Sequence, residues 1–197
     1  MRIAITGSHS LGKSTFVNDF LVRHSDYSYE QEPYRALMHD HEILFGDHQT
    51  QHHIDLQLNY CIERVKCYAP GDNVIFDRLP IDYIPYSSYT AHHAHTDIDH
   101  DYVTSLYDRI RPVLHHLDLI VFVPIKSDYV IELENDGHRP TEDLYRTWVD
   151  HTFKKLYRQN LASIMPFKNA PRLIEITGPR EHRIELLEQA IKDAKQE

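Results

Sequence analysis

Cysteine is nearly missing from this 197-residue chain: Cys61 and Cys67 are its only two, and both fall in one helix-like stretch. A disulfide framework is therefore not expected, and a reducing, cytoplasmic setting is. Long apolar runs are missing too. The longest, around residues 117–125, contains Asp118 and falls far short of the ~20 residues a membrane-crossing helix needs. The chain starts almost directly in a β-branched segment, so no signal peptide is expected. Basic charge is in deficit, with 21 Lys and Arg against 30 Asp and Glu and a formal net charge of −9. That balance argues against a nucleic-acid partner, although a local basic cleft for phosphates remains compatible with it. Repeats, low-complexity tracts and linkers are absent, and the length suits one domain, residues 1–197, around a single core.

What is present is concentrated near the start. Gly7-Ser8-His9-Ser10-Leu11-Gly12-Lys13-Ser14-Thr15 matches G-x-x-x-x-G-K-[ST] in full. Arg2-Ile3-Ala4-Ile5-Thr6 before it reads as a strand, and Phe16, Phe20 and Leu21 after it share one helical face. Strand, glycine loop and helix together make a phosphate-binding loop. Its backbone N–H groups turn inward around a polyphosphate, aided by the partial positive charge of the helix N-terminus. Lys13 is expected to reach the β- and γ-phosphates, and the Ser14 hydroxyl to hold Mg²⁺. His9 would touch phosphate through its backbone, with its side chain toward solvent or an acceptor.

Further along, residues 27–30 read as a second strand that runs out at Glu32-Pro33. Ligands of open α/β sheets bind beyond the carboxyl ends of strands, so Glu32 and Arg35 join the candidate site. Residues 49–68 carry Ile54, Leu58, Cys61, Ile62 and Val65 at helical spacing, and residues 73–78 form an apolar strand ending in Asp77 and Arg78. A carboxylate at such a tip faces Mg²⁺ or its water shell. Tyr83, Tyr86 and Tyr89 cluster next. They suit packing, Tyr83 is also a candidate to stack on a flat substrate, and the tyrosine-rich helices offer a face through which two copies could pair. A helix over residues 102–116, a buried strand in residues 117–125, a helical stretch at 127–133, a turn-rich loop at 135–143, a helix marked by Leu144, Trp148, Phe153 and Leu156, a strand at 172–177 and a closing helix at 180–195 complete the chain. The alternation predicts a three-layer α/β/α fold with a parallel sheet of about five strands and a lid around residues 127–160.

Several nucleotide-using classes can be separated on these residues. A GTPase needs Asp-x-x-Gly after the metal-facing strand and Asn-Lys-x-Asp for guanine; here Asp77 is followed by Arg78-Leu79-Pro80, and Lys126-Ser127-Asp128 lacks the Asn. A kinase needs a carboxylate to take the acceptor's proton, arginines for the moving phosphoryl group and a lid against water. Glu32, Arg78 and the loop bearing Arg139 supply one of each. Sixteen histidines raise the question of metal. His48 and His52 are four apart, as a helical metal pair would be, but with no third ligand fixed beside them the histidines read as structural or surface residues.

Residues 7–15, Glu32-Pro33, and Asp77-Arg78 followed by Pro80-Ile81-Asp82-Tyr83 resemble the P-loop nucleoside and nucleotide kinases. Deoxynucleoside kinases, nicotinamide riboside kinase domains and small AAA-type ATPases related to the latter share these features. The resemblance implies that Glu32 is the general base and that Asp77 and Arg78 serve metal and phosphate, with Leu79 in place of the Ser expected there. Asp136-Gly137-His138-Arg139-Pro140, followed by Tyr145-Arg146, is similar to the lid of the riboside-kinase-like group, with fewer arginines than deoxynucleoside kinases use. Gly178-Pro179 with Arg183 resembles the loop that packs against adenine. The implied activity is transfer of the γ-phosphoryl group of Mg²⁺-bound ATP to a nucleoside, nucleotide or related small acceptor. A P-loop ATPase acting as a nucleotide-dependent switch is the alternative.

Overall fold

Three strands whose only polar side chains stand at their ends (Arg2, Thr6 and Asp77), β1 (Arg2–Thr6), β3 (Val74–Asp77) and β4 (Leu119–Phe122), are buried along their whole length. Only a strand covered on both faces can be so uniformly apolar, and such strands belong to parallel sheets. The computed structural model, which describes residues 1–93, 96–126 and 143–196, has these three at the centre of a five-stranded parallel sheet ordered β2-β3-β1-β4-β5. The outer strands are β2 (Ser28–Glu30) and β5 (Arg172–Glu175).

Successive strand residues point to opposite faces. Ile3, Ile5, Ile75, Leu119 and Val121 pack with Phe16 and Phe20 of α1 (Lys13–Arg23) and with Ile184 and Leu187 of α7 (Arg180–Ala194). Ala4, Phe76, Ile120 and Phe122 face the other way. They meet Ile54 and Leu58 of α3 (Gln51–Lys66), Ile84 of α4 (Tyr83–His93), Leu106 of α5 (His100–Ile110) and Val149 and Phe153 of α6 (Asp143–Arg158). Among the described residues no helix is long and apolar enough to cross a membrane.

The register positions the chemistry. Ile5 pairs with Asp77 and Thr6 with Phe122, so the loop leaving β1 emerges beside the tips of both β3 and β4. Gly7 is needed at that exit. Its φ is +137°, and a Cβ there would sit 2.4 Å from the Val123 carbonyl oxygen, while Val123 N–H is itself tied to the Thr6 carbonyl at 2.9 Å. Gly7→Ala is expected to destabilise the fold by about 3 kcal/mol, enough to lower Tm by roughly 6–12 °C for a chain of this size. A thermal melt checks this; an unchanged Tm would mean that the β1–β4 edge yields without strain.

Four local features differ from the sequence reading. A short helix, α2 (Pro33–Leu37), follows β2 with Pro33 at its first turn, where the missing N–H is one the helix does not use. The helix predicted over 102–116 ends at Ile110, and Arg111–His116 continues as a 3₁₀ segment with Pro112 at its start. Helix α4 runs on to His93, into the stretch at residues 91–100 whose polar composition predicts a loop. On α6, Leu144 is 81% exposed, and Tyr145, Val149, Phe153 and Leu156 face the core instead. The helical stretch at 127–133 and the loop at 135–143, except its last residue, lie outside the described residues.

Candidate active site

The phosphate loop needs backbone conformations that most residues avoid. Gly12, at φ +67°, precedes the first residue of α1, and Ser10 also lies at positive φ (53°). The Lys13 amine folds back to donate to the Ser8 carbonyl. Burial, followed by the nearby Arg78 charge, drives that amine well below the usual lysine range. The Ser14 hydroxyl donates to Asp77 Oδ2 at 2.6 Å across the β1–β3 junction. Burial and the neighbouring Glu32 charge push the Asp77 carboxyl up, opposed by the Ser14 hydrogen bond and by Arg78 and Lys13.

Other elements hold the loop in place. Ser8 Oγ donates to the Arg146 carbonyl on α6 at 3.1 Å. Arg183 of α7 donates from Nη1 to the Leu11 carbonyl at 2.8 Å and from Nε to the Gly178 carbonyl at 2.7 Å. The segment of Gly178, Pro179 and Arg183 is thus joined to the phosphate loop. Of the two directions expected for the His9 side chain, solvent or acceptor, solvent does not hold. His9 is buried, with its ring 5.3 Å from that of Tyr145 and 6.4 Å from that of Tyr86, because the loop turns it inward under α4 and α6.

Arg78 is the hub. It is a non-glycine residue at φ +101°, a conformation that costs on the order of 1–3 kcal/mol and persists only where surrounding contacts impose it. Those contacts are present. Its N–H donates to the Ile5 carbonyl at 3.1 Å. Its guanidinium donates from Nε to Glu32 Oε1 at 3.1 Å, and from Nη1 to the Gly7 carbonyl at 2.8 Å and to Asp82 Oδ2 at 3.2 Å. The group also lies over the Tyr86 ring, 5.6 Å from its centroid. Arg35 approaches Glu32 at 3.6 Å with a largely exposed side chain. Glu32 itself, which a loop position left free to be solvated, is only 7% exposed. Asp82 accepts from Thr6 Oγ1 at 2.5 Å, and burial pushes its carboxyl up to about 6 against the pull of Arg78. So many buried charges add little net stability; they fix geometry.

Two pockets open around this hub. Ser10, Leu11, Gly12, Lys13, Ser14, Thr15, Glu32, Arg35, Asp77 and Arg78 line the first, which gathers most of the phosphate-site residues expected from the sequence. The second is bounded by Phe45, Gln49, Gln57, Asp82, Tyr83, Tyr86 and Tyr145, and again by Glu32 and Arg78. Tyr83 belongs to both expectations, since it packs in the core and also lines this chamber. Asp82, Gln49, Gln57, Phe45 and Tyr145 were not singled out as site residues. The available signal was an acid inside the apolar run Leu79-Pro80-Ile81-Asp82-Tyr83 and a glutamine beside the apolar face of α3. Arg139 lies outside the described residues. His48 ends a 3₁₀ turn before α3 begins at Gln51, so it does not share a helix with His52. Instead His53 caps that helix, its Nδ1 accepting from the Thr50 N–H at 3.1 Å. Among the described residues no group of three His, Cys, Asp or Glu could hold a metal ion.

A family model described as an AAA domain matches residues 2–171. Among solved structures, NadR protein in complex with NR superposes with a TM-score of 0.64 at 16% identity, over 95% of this chain and 50% of that one. The chain thus spans about half the length of NadR. Deoxyadenosine kinase from M. mycoides with bound dATP gives a TM-score of 0.65 at 17% identity, covering 98% of this chain and 100% of the other. Thymidylate kinase from Candida albicans gives 0.65 at 16%, covering 98% and 91%. At these identities the likeness is one of fold, the P-loop kinase fold. No curated protein matches the sequence.

Proposed function

The chain belongs to the AAA domain family matched over residues 2–171, and we propose that it is a P-loop phosphotransferase moving the γ-phosphoryl group of ATP to a small acceptor. The observation that carries this reading is that Glu32 and Arg78 border both the phosphate pocket and the aromatic chamber. A donor phosphate in one and an acceptor hydroxyl in the other would meet at a carboxylate and a guanidinium, the pair that transfer requires.

The residues take the following parts. Lys13 and the loop N–H groups bind the β- and γ-phosphates, and the Gly178–Arg183 segment flanks the adenine. Ser14 and Asp77 present hard oxygen donors on one side of the phosphate pocket, a set that suits Mg²⁺. These two would hold the ion, which when bound neutralises charge on the β- and γ-oxygens. Glu32 orients the acceptor hydroxyl and receives its proton as the new O–P bond forms and the bond from the γ-phosphorus to the bridging oxygen breaks, that oxygen leaving with ADP. Arg78 neutralises the phosphoryl oxygens in transit, and Arg35 and Arg139 contribute further positive charge to that task. The whole chain, residues 1–197, acts as one domain with residues 127–160 as its lid.

The AAA-domain match favours one other reading, an ATPase whose nucleotide occupancy sets a binding state. ADP formation with and without a panel of nucleosides and nucleotides separates the two. Stimulation by one acceptor supports transfer; slow hydrolysis indifferent to the panel supports the switch.

A further inference from the structure

Three carbonyls of the phosphate loop are held by cationic side chains, and one of those cations stands outside the pocket. Arg78 Nη1 donates to the Gly7 carbonyl at 2.8 Å, the Lys13 amine to the Ser8 carbonyl, and Arg183 Nη1 to the Leu11 carbonyl at 2.8 Å. Lys13 and Arg78 line the phosphate pocket and would meet the ligand themselves. Arg183 does not line it. That residue is 4% exposed and reaches the loop from the first turn of α7.

The peptide held by Arg183 joins two residues, Leu11 and Gly12, that both line the pocket. No described peptide is cis, and in a planar trans peptide the C=O and N–H point in opposite directions. A Leu11 carbonyl drawn to Arg183 therefore turns the Gly12 N–H the other way, toward the pocket. Gly12 has φ +67°, and a glycine's wide backbone freedom leaves the direction of this peptide to outside contacts. Arg183 supplies one from a firm base. Arg180 donates to both oxygens of Asp19 on α1, at 2.8 and 2.6 Å, and Ile184 and Leu187 pack with Phe16 and Phe20. The other edge of the same guanidinium donates from Nε to the Gly178 carbonyl at 2.7 Å, so one planar group fixes two segments at once.

We propose that Arg183 is a positioning residue for the triphosphate: by holding the Leu11 carbonyl it aims the Gly12 N–H at the phosphates without touching them. This rests on the reading of residues 7–15 as a nucleotide site and is independent of whether the phosphoryl group is transferred. It assigns the Arg183 side chain to the phosphates, while the backbone of its segment flanks the adenine. Losing Arg183 therefore weakens a polyphosphate by the same factor with a base attached or without one.

The test is calorimetric titration of the full chain in Mg²⁺ with a non-hydrolysable ATP analogue and, separately, with inorganic tripolyphosphate, well below the Tm of each variant. Arg183→Met is expected to weaken both ligands by the same factor of about ten, the size of one hydrogen bond from a charged donor. Arg183→Lys, whose ammonium cannot span both carbonyls, is expected to weaken both by a common factor of about three. Arg23→Met removes an exposed α1–α7 ion pair with Glu181 and Glu188 and is expected to change neither affinity. A loss confined to the ATP analogue would assign Arg183 to the base and overturn the proposal. Unchanged affinities in the Arg183 variants overturn it as well, whatever their Tm, since a structural role alone lowers only stability. An equal loss in Arg23→Met does the same, because helix packing rather than the guanidinium would then set the affinity. If Arg183→Met does not fold, the two ligands measured on Arg183→Lys decide by the same criterion. Wild type that binds the analogue but not tripolyphosphate overturns only the role given to Arg183. Wild type that binds neither removes the nucleotide reading and the inference with it.

Discussion

Lys13→Ala is expected to abolish measurable nucleotide binding, a loss of roughly 100-fold or more, while leaving the unliganded chain at least as stable. Both halves follow from the same burial. Lys13 is 5% exposed and its amine rests on the Ser8 carbonyl, with Arg78 close enough to disfavour its charge. Removing a poorly compensated buried cation does little harm to the empty fold. A polyphosphate, however, would meet that cation through charge-assisted hydrogen bonds, which contribute about 1.5–3 kcal/mol each. Thermal melts with and without a Mg²⁺-bound ATP analogue read both quantities. A ligand that binds only the native state raises Tm, so a rise that persists in the variant would show that Lys13 is not the phosphate ligand.

Glu32→Gln is expected to reduce phosphoryl transfer by roughly 100- to 10,000-fold, with KM for ATP within about threefold of wild type. The substitution separates two roles that the geometry superimposes. A glutamine oxygen still accepts the Arg78 Nε hydrogen bond that Glu32 Oε1 accepts at 3.1 Å, so the hub remains assembled. What glutamine cannot do is take a proton. A small loss in kcat would therefore assign Glu32 to holding Arg78 alone and would move the proton acceptor elsewhere.

How far the sequence carried depends on how local each signal is. Continuous apolar runs marked β1, β3 and β4 because strands covered on both faces need nothing else, and the phosphate loop was legible because its glycines, lysine and hydroxyl are fixed within nine residues. Glu32, Asp77 and Arg78 were found by a rule of position, at the ends of strands that prove to be neighbours in the sheet. The chamber was not found that way. Gln49, Asp82 and Tyr145 lie before α3, after β3 and on α6, and only the packing of α4 and α6 over one sheet face joins them. The direction of the His9 side chain stayed open between solvent and acceptor for a related reason: the loop's backbone contacts were readable, but the layer of Tyr86 and Tyr145 that encloses its ring was not. Leu144 and Tyr145 are adjacent on one helix, and apolar character alone did not decide which turned inward.

The shared border at Glu32 and Arg78 is a claim about where a phosphoryl group goes. The most direct measurement is the fate of label from ATP carrying radioactive phosphorus at the γ position, mixed with the full chain, Mg²⁺ and the nucleoside that most stimulates ADP formation. Label is expected in a phosphate ester of that nucleoside, formed in step with ADP and lost in Glu32→Gln. Label recovered only as inorganic phosphate, at a rate the nucleoside does not change, would contradict the claim.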